Sequence, residues 1–133
     1  LWDSSESVCG SWNEVFRRYP EIDRVLTPAD VRGFMGKTLE QIFPIALPDT
    51  PDELRRRVLR ECVGYELEYI ARHGGKLYPK LRETLELLRK EHTLIIVSNC
   101  QVGYIECFLD FAGMHDLADH TYQFLGSAGN TFH

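Results

Sequence analysis

The chain has 133 residues, 44% hydrophobic and 26% charged, enough for one respectable core or one small core plus an appendage. Its net charge of −5 argues against non-specific binding to nucleic acid or to an anionic membrane surface. No apolar segment approaches the length of a membrane span or a signal-peptide core, so nothing suggests export, and a cytoplasmic location is expected.

Cys9, Cys62, Cys100 and Cys107 lie far apart, with no C-x-x-C pair, each in an apolar or helical stretch. They read as reduced core or near-core residues rather than a disulfide frame. The sequence starts at Leu1 instead of a methionine and ends at His133 in a Gly/Ser/Asn loop. An internal piece of a longer protein, truncated at both ends, is therefore expected.

In chain order, Asp3-x-x-Glu6 fits an N-terminal capping box with Asp in place of Ser or Thr. Val8, Trp12, Val15, Phe16 and Tyr19 then recur at helical spacing until Pro20, one apolar stripe that packing alone explains. Thr27-Pro28 places a capping hydroxyl before a proline suited to the first helical position, opening a short helix that stops at Gly36. Thr38-x-x-Gln41 is a second capping box and opens Leu39 to Leu47, with Pro44 expected to kink or shorten that helix. Thr50-Pro51-Asp52-Glu53 has cap, proline and N3 glutamate together. From there Leu54, Val58, Cys62, Tyr65 and Tyr69 define a long amphipathic helix ending at Gly74-Gly75. Its arginines (Arg55, Arg56, Arg57 and Arg60) and glutamates (Glu61, Glu66 and Glu68) read as a solvated face. Residues 4–73 thus form about four helices without a strand signal.

The character changes after Gly75. Tyr78-Pro79 introduces a helix carrying Leu81, Leu85 and Leu88. The uncharged run Thr93-Leu94-Ile95-Ile96-Val97 then stops at Ser98-Asn99, and reads as a strand buried on both faces in a parallel sheet. Val102, Ile105, Phe108, Leu109 and Ala112 form the next helix, closed by Gly113, and residues 121–125 read as another strand. Helix–strand–helix–strand is part of a doubly wound sheet, in which ligands bind outside the strand ends and helix N-termini favour anions. The fold class is α/β: a partial core of parallel sheet flanked by helices, with an inserted four-helix domain. The expected division is a helical domain over 1–75 and the α/β part over 76–133.

These residues resemble the haloacid dehalogenase-like hydrolases of the helical-cap group, such as phosphoglycolate phosphatases and β-phosphoglucomutases. Leu1-Trp2-Asp3-Ser4 is similar to the continuation of that family's first motif, Asp-x-Asp-Gly-Thr. The stretch from Val31 to Leu39 is similar to its substrate-specificity loop, the segment from Leu77 to Leu88 to the return into the core, and Leu94 to Asn99 to its second motif. The resemblance covers the whole chain. It implies a Mg²⁺-dependent phosphatase of small phosphorylated metabolites, phosphoglycolate being the default, acting through an aspartyl-phosphate in the full-length parent. Ser98 would hold a phosphoryl oxygen and Asn99 would orient the substrate or the strand-end turn; a polar cap after a strand is the plainer account of Ser98. Gly36, Lys37 and Thr38 would form the substrate-binding cap loop, while Lys37 reads equally well as a surface lysine beside a helix-ending glycine. Arg32 is a weaker candidate.

The departures are equally specific. The nucleophilic and general-acid aspartates would precede Leu1, the third-motif lysine would follow His133, and the acids completing the Mg²⁺ site would lie further on. Asp3, Asp110, Asp116 and Asp119 do not replace them, no metal ligand is assigned within the chain, and His115 and His120 read as surface loop residues. This polypeptide by itself is expected to be inactive, and its oligomeric state is left open. A phosphosugar mutase of the same fold and a non-catalytic helical interaction module are the alternatives.

Overall fold

A computed structural model describes residues 1–123. The expected strand over 121–125 falls partly, and the Gly/Ser/Asn loop wholly, outside the described residues. The elements are β1 (Trp2–Asp3), α1 (Ser5–Phe16), α2 (Pro28–Phe34), α3 (Leu39–Ala46), α4 (Asp52–His73), β2 (Lys76–Leu77), α5 (Leu81–Arg89), β3 (Ile95–Ser98), α6 (Tyr104–Ala112) and β4 (His120–Gln123).

The first four helices pack through the stripes their spacing promises. Val8, Trp12, Val15 and Phe16 of α1 meet Val31 and Phe34 of α2, Ile42 and Ala46 of α3, and Val58, Leu59, Cys62 and Ile70 of α4 in one cluster. The α1 helix lies along α4, the longest element, which also touches α6. Two starts are capped as expected. Thr27 accepts from the Asp30 N–H while the Asp30 carboxylate accepts from the Thr27 N–H, and Thr38 and Gln41 do the same for α3. The α3 helix runs through Pro44 to Ala46.

Two other starts differ. No side chain caps α4: Pro51 is the cap residue, and Asp52 binds Arg55 and Arg56 on its own helix. At α1 the cap residue is Ser4, which makes no capping bond; Asp3 accepts the Ser5 N–H at 2.9 Å from within a strand. That helix also stops at Phe16, short of Pro20.

Residues 2–3 pair antiparallel with 76–77, so the two ends of the helical segment are tied together by a short ribbon. Trp2 secures this tie, its ring lying 5.3 Å from Phe108 and 6.1 Å from Tyr104, centroid to centroid. Between α4 and β2, Gly74 has φ +65 and packs against Phe111, leaving no room for a Cβ.

A second cluster contains Ile105, Phe108 and Leu109 of α6 with Met114 and Leu117, and Leu81, Leu85 and Ile96 pack on it. β3 and β4 are parallel, with Ile95 opposite His120 and Ser98 opposite Gln123. Burial of β3 on both faces is not observed. Ile96 packs inward, but Ile95 and Val97 are 52% and 64% exposed. The alternation is that of a sheet covered on one face, because Ile96 packs on the α6 cluster while Ile95 and Val97 stay exposed. His120 lies in β4 instead of a loop, and His115 pairs with Asp110 at 2.5 Å.

Candidate functional site

The carboxyl end of β3 opens onto a cleft of about 360 Å³. Its floor and walls are largely apolar, supplied by Val8 and Trp12 of α1, Val31 and Phe34 of α2, Leu39 and Ile42 of α3 and Val63 of α4. Gly36, Lys37 and Thr38 line one side of it, and Ser98, Asn99, Cys100 and Gln101 line another. Gly36, Lys37, Thr38, Ser98 and Asn99 therefore reach one cavity, although the two groups are about sixty positions apart; Arg32, the weaker candidate, does not line it.

Local chemistry explains the first group. Gly36 has φ +79, a conformation that favours glycine, and turns the chain sharply after α2. The Lys37 N–H then bonds to the Phe34 carbonyl at 3.0 Å, and Thr38 starts α3 through its capping box. Lys37 Nζ donates to the Gly33 carbonyl at 2.9 Å. The lysine thus closes the C-terminus of α2 and lines the cleft at once. An ammonium has three donors, so two remain for a ligand or water.

Ser98 is half-buried at the end of β3 and hydrogen-bonded with the Cys100 thiol, while Asn99 is exposed. The α6 helix begins only at Tyr104, after a turn, so its N-terminus does not directly follow the strand. Tyr104 also lines the cleft, and its hydroxyl bonds to Ser4 Oγ. Ser98 and Tyr104 are shared with a second cleft of about 370 Å³, which Leu1, Trp2, Asp3, Ser4 and Arg32 help to line. Arg32 reaches Ser5 Oγ at 3.2 Å. Hydrogen bonds from Ser5 hold the Asp3 carboxyl below its ordinary range.

The one carboxylate lining the first cleft among the described residues, Glu66, is not marked as a site residue by the sequence. Far from standing on a solvated face, it is 9% exposed. Trp12 Nε1 donates to its Oε2 at 2.6 Å and Gln101 Nε2 donates to its Oε1 at 3.3 Å. Burial pushes its pKa up to about 7, against the two hydrogen bonds, which pull it down. A signal existed: Glu66 stands four residues from both Cys62 and Ile70, in the buried row of α4. The arginine-rich half of the same helix does behave as a solvated face. Arg55 and Arg56 pair with Asp52, and Arg57 lies over the Tyr19 ring.

Among the described residues, no group of three or more His, Cys, Asp or Glu side chains could hold a metal ion. The carboxylates at the two clefts do not make a Mg²⁺ site. Asp3 is committed to Ser5, and Glu66 brings a single carboxylate to its cleft with no second one beside it among the described residues. A hard cation needs several converging oxygens. None of the four cysteines forms a disulfide, and no described helix is long and apolar enough to cross a membrane.

No protein-family model matches the chain, and no curated protein sequence does. Solved structures do match. One, described as a haloacid dehalogenase-like hydrolase from Bacteroides fragilis, superposes with a TM-score of 0.74 at 23% identity, over 99% of this chain and 61% of that one. Another, described as a phosphatase from Clostridium difficile, gives 0.68 at 17% identity, over 98% and 59%. The chain therefore has the α/β fold seen in haloacid dehalogenase-like hydrolases, and spans about three fifths of the length of these structures.

Proposed function

We propose that the full-length protein is a Mg²⁺-dependent phosphatase of small phosphorylated metabolites, working through an aspartyl-phosphate. The observation that carries this reading is the meeting of Gly36, Lys37 and Thr38 with Ser98 and Asn99 around one cleft, in a fold shared with such hydrolases. Ser98 holds a phosphoryl oxygen as charge moves in the transition state, and the free donors of Lys37 offset that charge from the opposite side. Asn99 orients the leaving alcohol. The apolar walls keep water away from the bond being broken and strengthen each of these contacts.

In this reading the attacking and general-acid aspartates stand before Leu1. The second cleft supports that placement, because Leu1, Asp3 and Ser4 line it together with Ser98. The acids that hold Mg²⁺ are likewise outside the described residues, since those present do not fit the ion. When bound, Mg²⁺ neutralises phosphoryl charge. The isolated 133-residue chain is accordingly inactive. Residues 1–75 act as the cap and 76–133 as part of the core, and the four thiols suit a reducing, cytoplasmic setting.

The test uses the full-length protein with p-nitrophenyl phosphate and a panel of phosphorylated metabolites, with and without Mg²⁺. Metal-dependent phosphate release that falls about 100-fold in Ser98→Ala is expected, the usual cost of losing one oxyanion donor. Isomerisation of a sugar phosphate without phosphate release would instead identify a mutase. A reading frame lacking an Asp-x-Asp pair before Leu1, or a Ser98→Ala variant of undiminished rate, overturns the proposal.

A further inference from the structure

Among the described residues that line the first cleft, Glu66 is the one acidic side chain and Lys37 the one basic side chain. Its carboxyl is built into the wall. Trp12 from α1 and Gln101 from the turn after β3 each donate to a different oxygen, so its position is fixed from two elements. Two carboxylate oxygens offer about four acceptor directions, and these donors occupy two. The remaining directions can serve a bound molecule. The other groups around Glu66 that titrate are Cys62 on its own helix, Cys100 in the turn and Tyr104 on α6. Burial raises all three, so none is an anion near pH 8. At that pH Glu66 therefore supplies a negative charge to an apolar-walled cleft, in which Lys37 is the one basic side chain among the described residues.

Resting on the phosphatase reading, we infer that Glu66 selects the substrate's alcohol part, accepting an ammonium or hydroxyl donor and rejecting a carboxylate. A donor on the leaving group gains a charge-assisted hydrogen bond in a water-poor site. A second carboxylate there meets a like charge, with both ions desolvated. The inference departs from the phosphoglycolate default: the preferred substrates are phosphomonoesters of amino alcohols or polyols.

Three two-carbon probes isolate the effect: O-phosphoethanolamine, 2-hydroxyethyl phosphate and 2-phosphoglycolate, which differ only in the terminal ammonium, hydroxyl or carboxylate. Affinities for the full-length protein are measured at pH 8 by ¹⁵N-edited NMR. Trp12→Phe assigns the Trp12 indole signal by its loss. Because Trp12 Nε1–H donates to Glu66, its signal reports a ligand arriving at that carboxylate. The expected order is ammonium, then hydroxyl, then carboxylate, with about tenfold or more between the extremes. Glu66→Gln should bring the extremes within about threefold, and Glu66→Asp should keep the order, since it keeps the charge. Should Glu66→Gln fail to fold, the wild-type order and the Glu66→Asp order still decide. Tighter binding of 2-phosphoglycolate than of O-phosphoethanolamine, or an unchanged ratio in Glu66→Gln, overturns the inference. Hydrolysis of p-nitrophenyl phosphate by the wild type tests the phosphatase reading separately; if it is absent and none of the three probes binds, both fall together.

Discussion

Replacing Glu66 with glutamine should change how stability depends on pH more than it changes stability itself. The buried carboxyl titrates at about 7 instead of its ordinary 4.5, burial being the larger cause. The folded protein therefore holds that proton more tightly than the unfolded chain does. Its contribution to stability is fully present below pH 4.5, declines as pH rises, and is gone above about 7. The interval of about 2.5 pH units, at about 1.4 kcal/mol each, corresponds to about 3 kcal/mol. Glutamine has nearly the same shape, still accepts from Trp12 Nε1, and lets Gln101 present its carbonyl by turning its amide. It carries no charge at any pH. Urea unfolding of the two proteins between pH 4.5 and 8.5 gives the difference directly, because every other titration cancels. The stability of Glu66→Gln relative to wild type should rise by about 3 kcal/mol across that range. Parallel curves would show that Glu66 titrates normally, and would refute its enclosure.

Two further substitutions test local geometry. Gly74→Ala places a Cβ 2.1 Å from Phe111 Cε2 on a backbone at φ +65, so it should cost about 2 kcal/mol or more in chemical denaturation. Thr38→Ala removes the acceptor of the Gln41 N–H and should cost about 1 kcal/mol, whereas Thr50→Ala, at a position that caps nothing, should cost less than about 0.5 kcal/mol. Equal losses at Thr38 and Thr50 would contradict the assigned helix starts.

The features legible in the sequence are those decided over three or four residues. Thr27 announces its helix by a hydroxyl before a proline and Thr38 by a box with Gln41, contacts made within three residues, and both caps form. The same syntax misleads at Thr50, where the helix starts one residue later, Pro51 is the cap residue and no side chain caps it. Pairing of Trp2 with Leu77 joins positions 75 apart through strands two residues long, and such short strands carry no periodicity. The β3 strand was readable as a strand from its composition, but the exposure of Ile95 and Val97 depends on which faces other elements cover. Ser98 and Lys37 could be marked as candidates through resemblance. Glu66 was hidden by its neighbours: within a helix rich in arginine and glutamate, one more carboxylate looks solvated until its row is counted against Cys62 and Ile70.

The central claim is that the cap loop and the end of β3 grip the same ligand. Titrating inorganic phosphate into the ¹⁵N-labelled full-length protein tests it most directly, with the backbone amides of Gly36, Lys37, Thr38, Ser98 and Asn99 as reporters. The account predicts that both groups shift along one saturating curve with a common dissociation constant, and that Ser98→Ala weakens the response in both. Shifts confined to one group, or two curves with different constants, would contradict it.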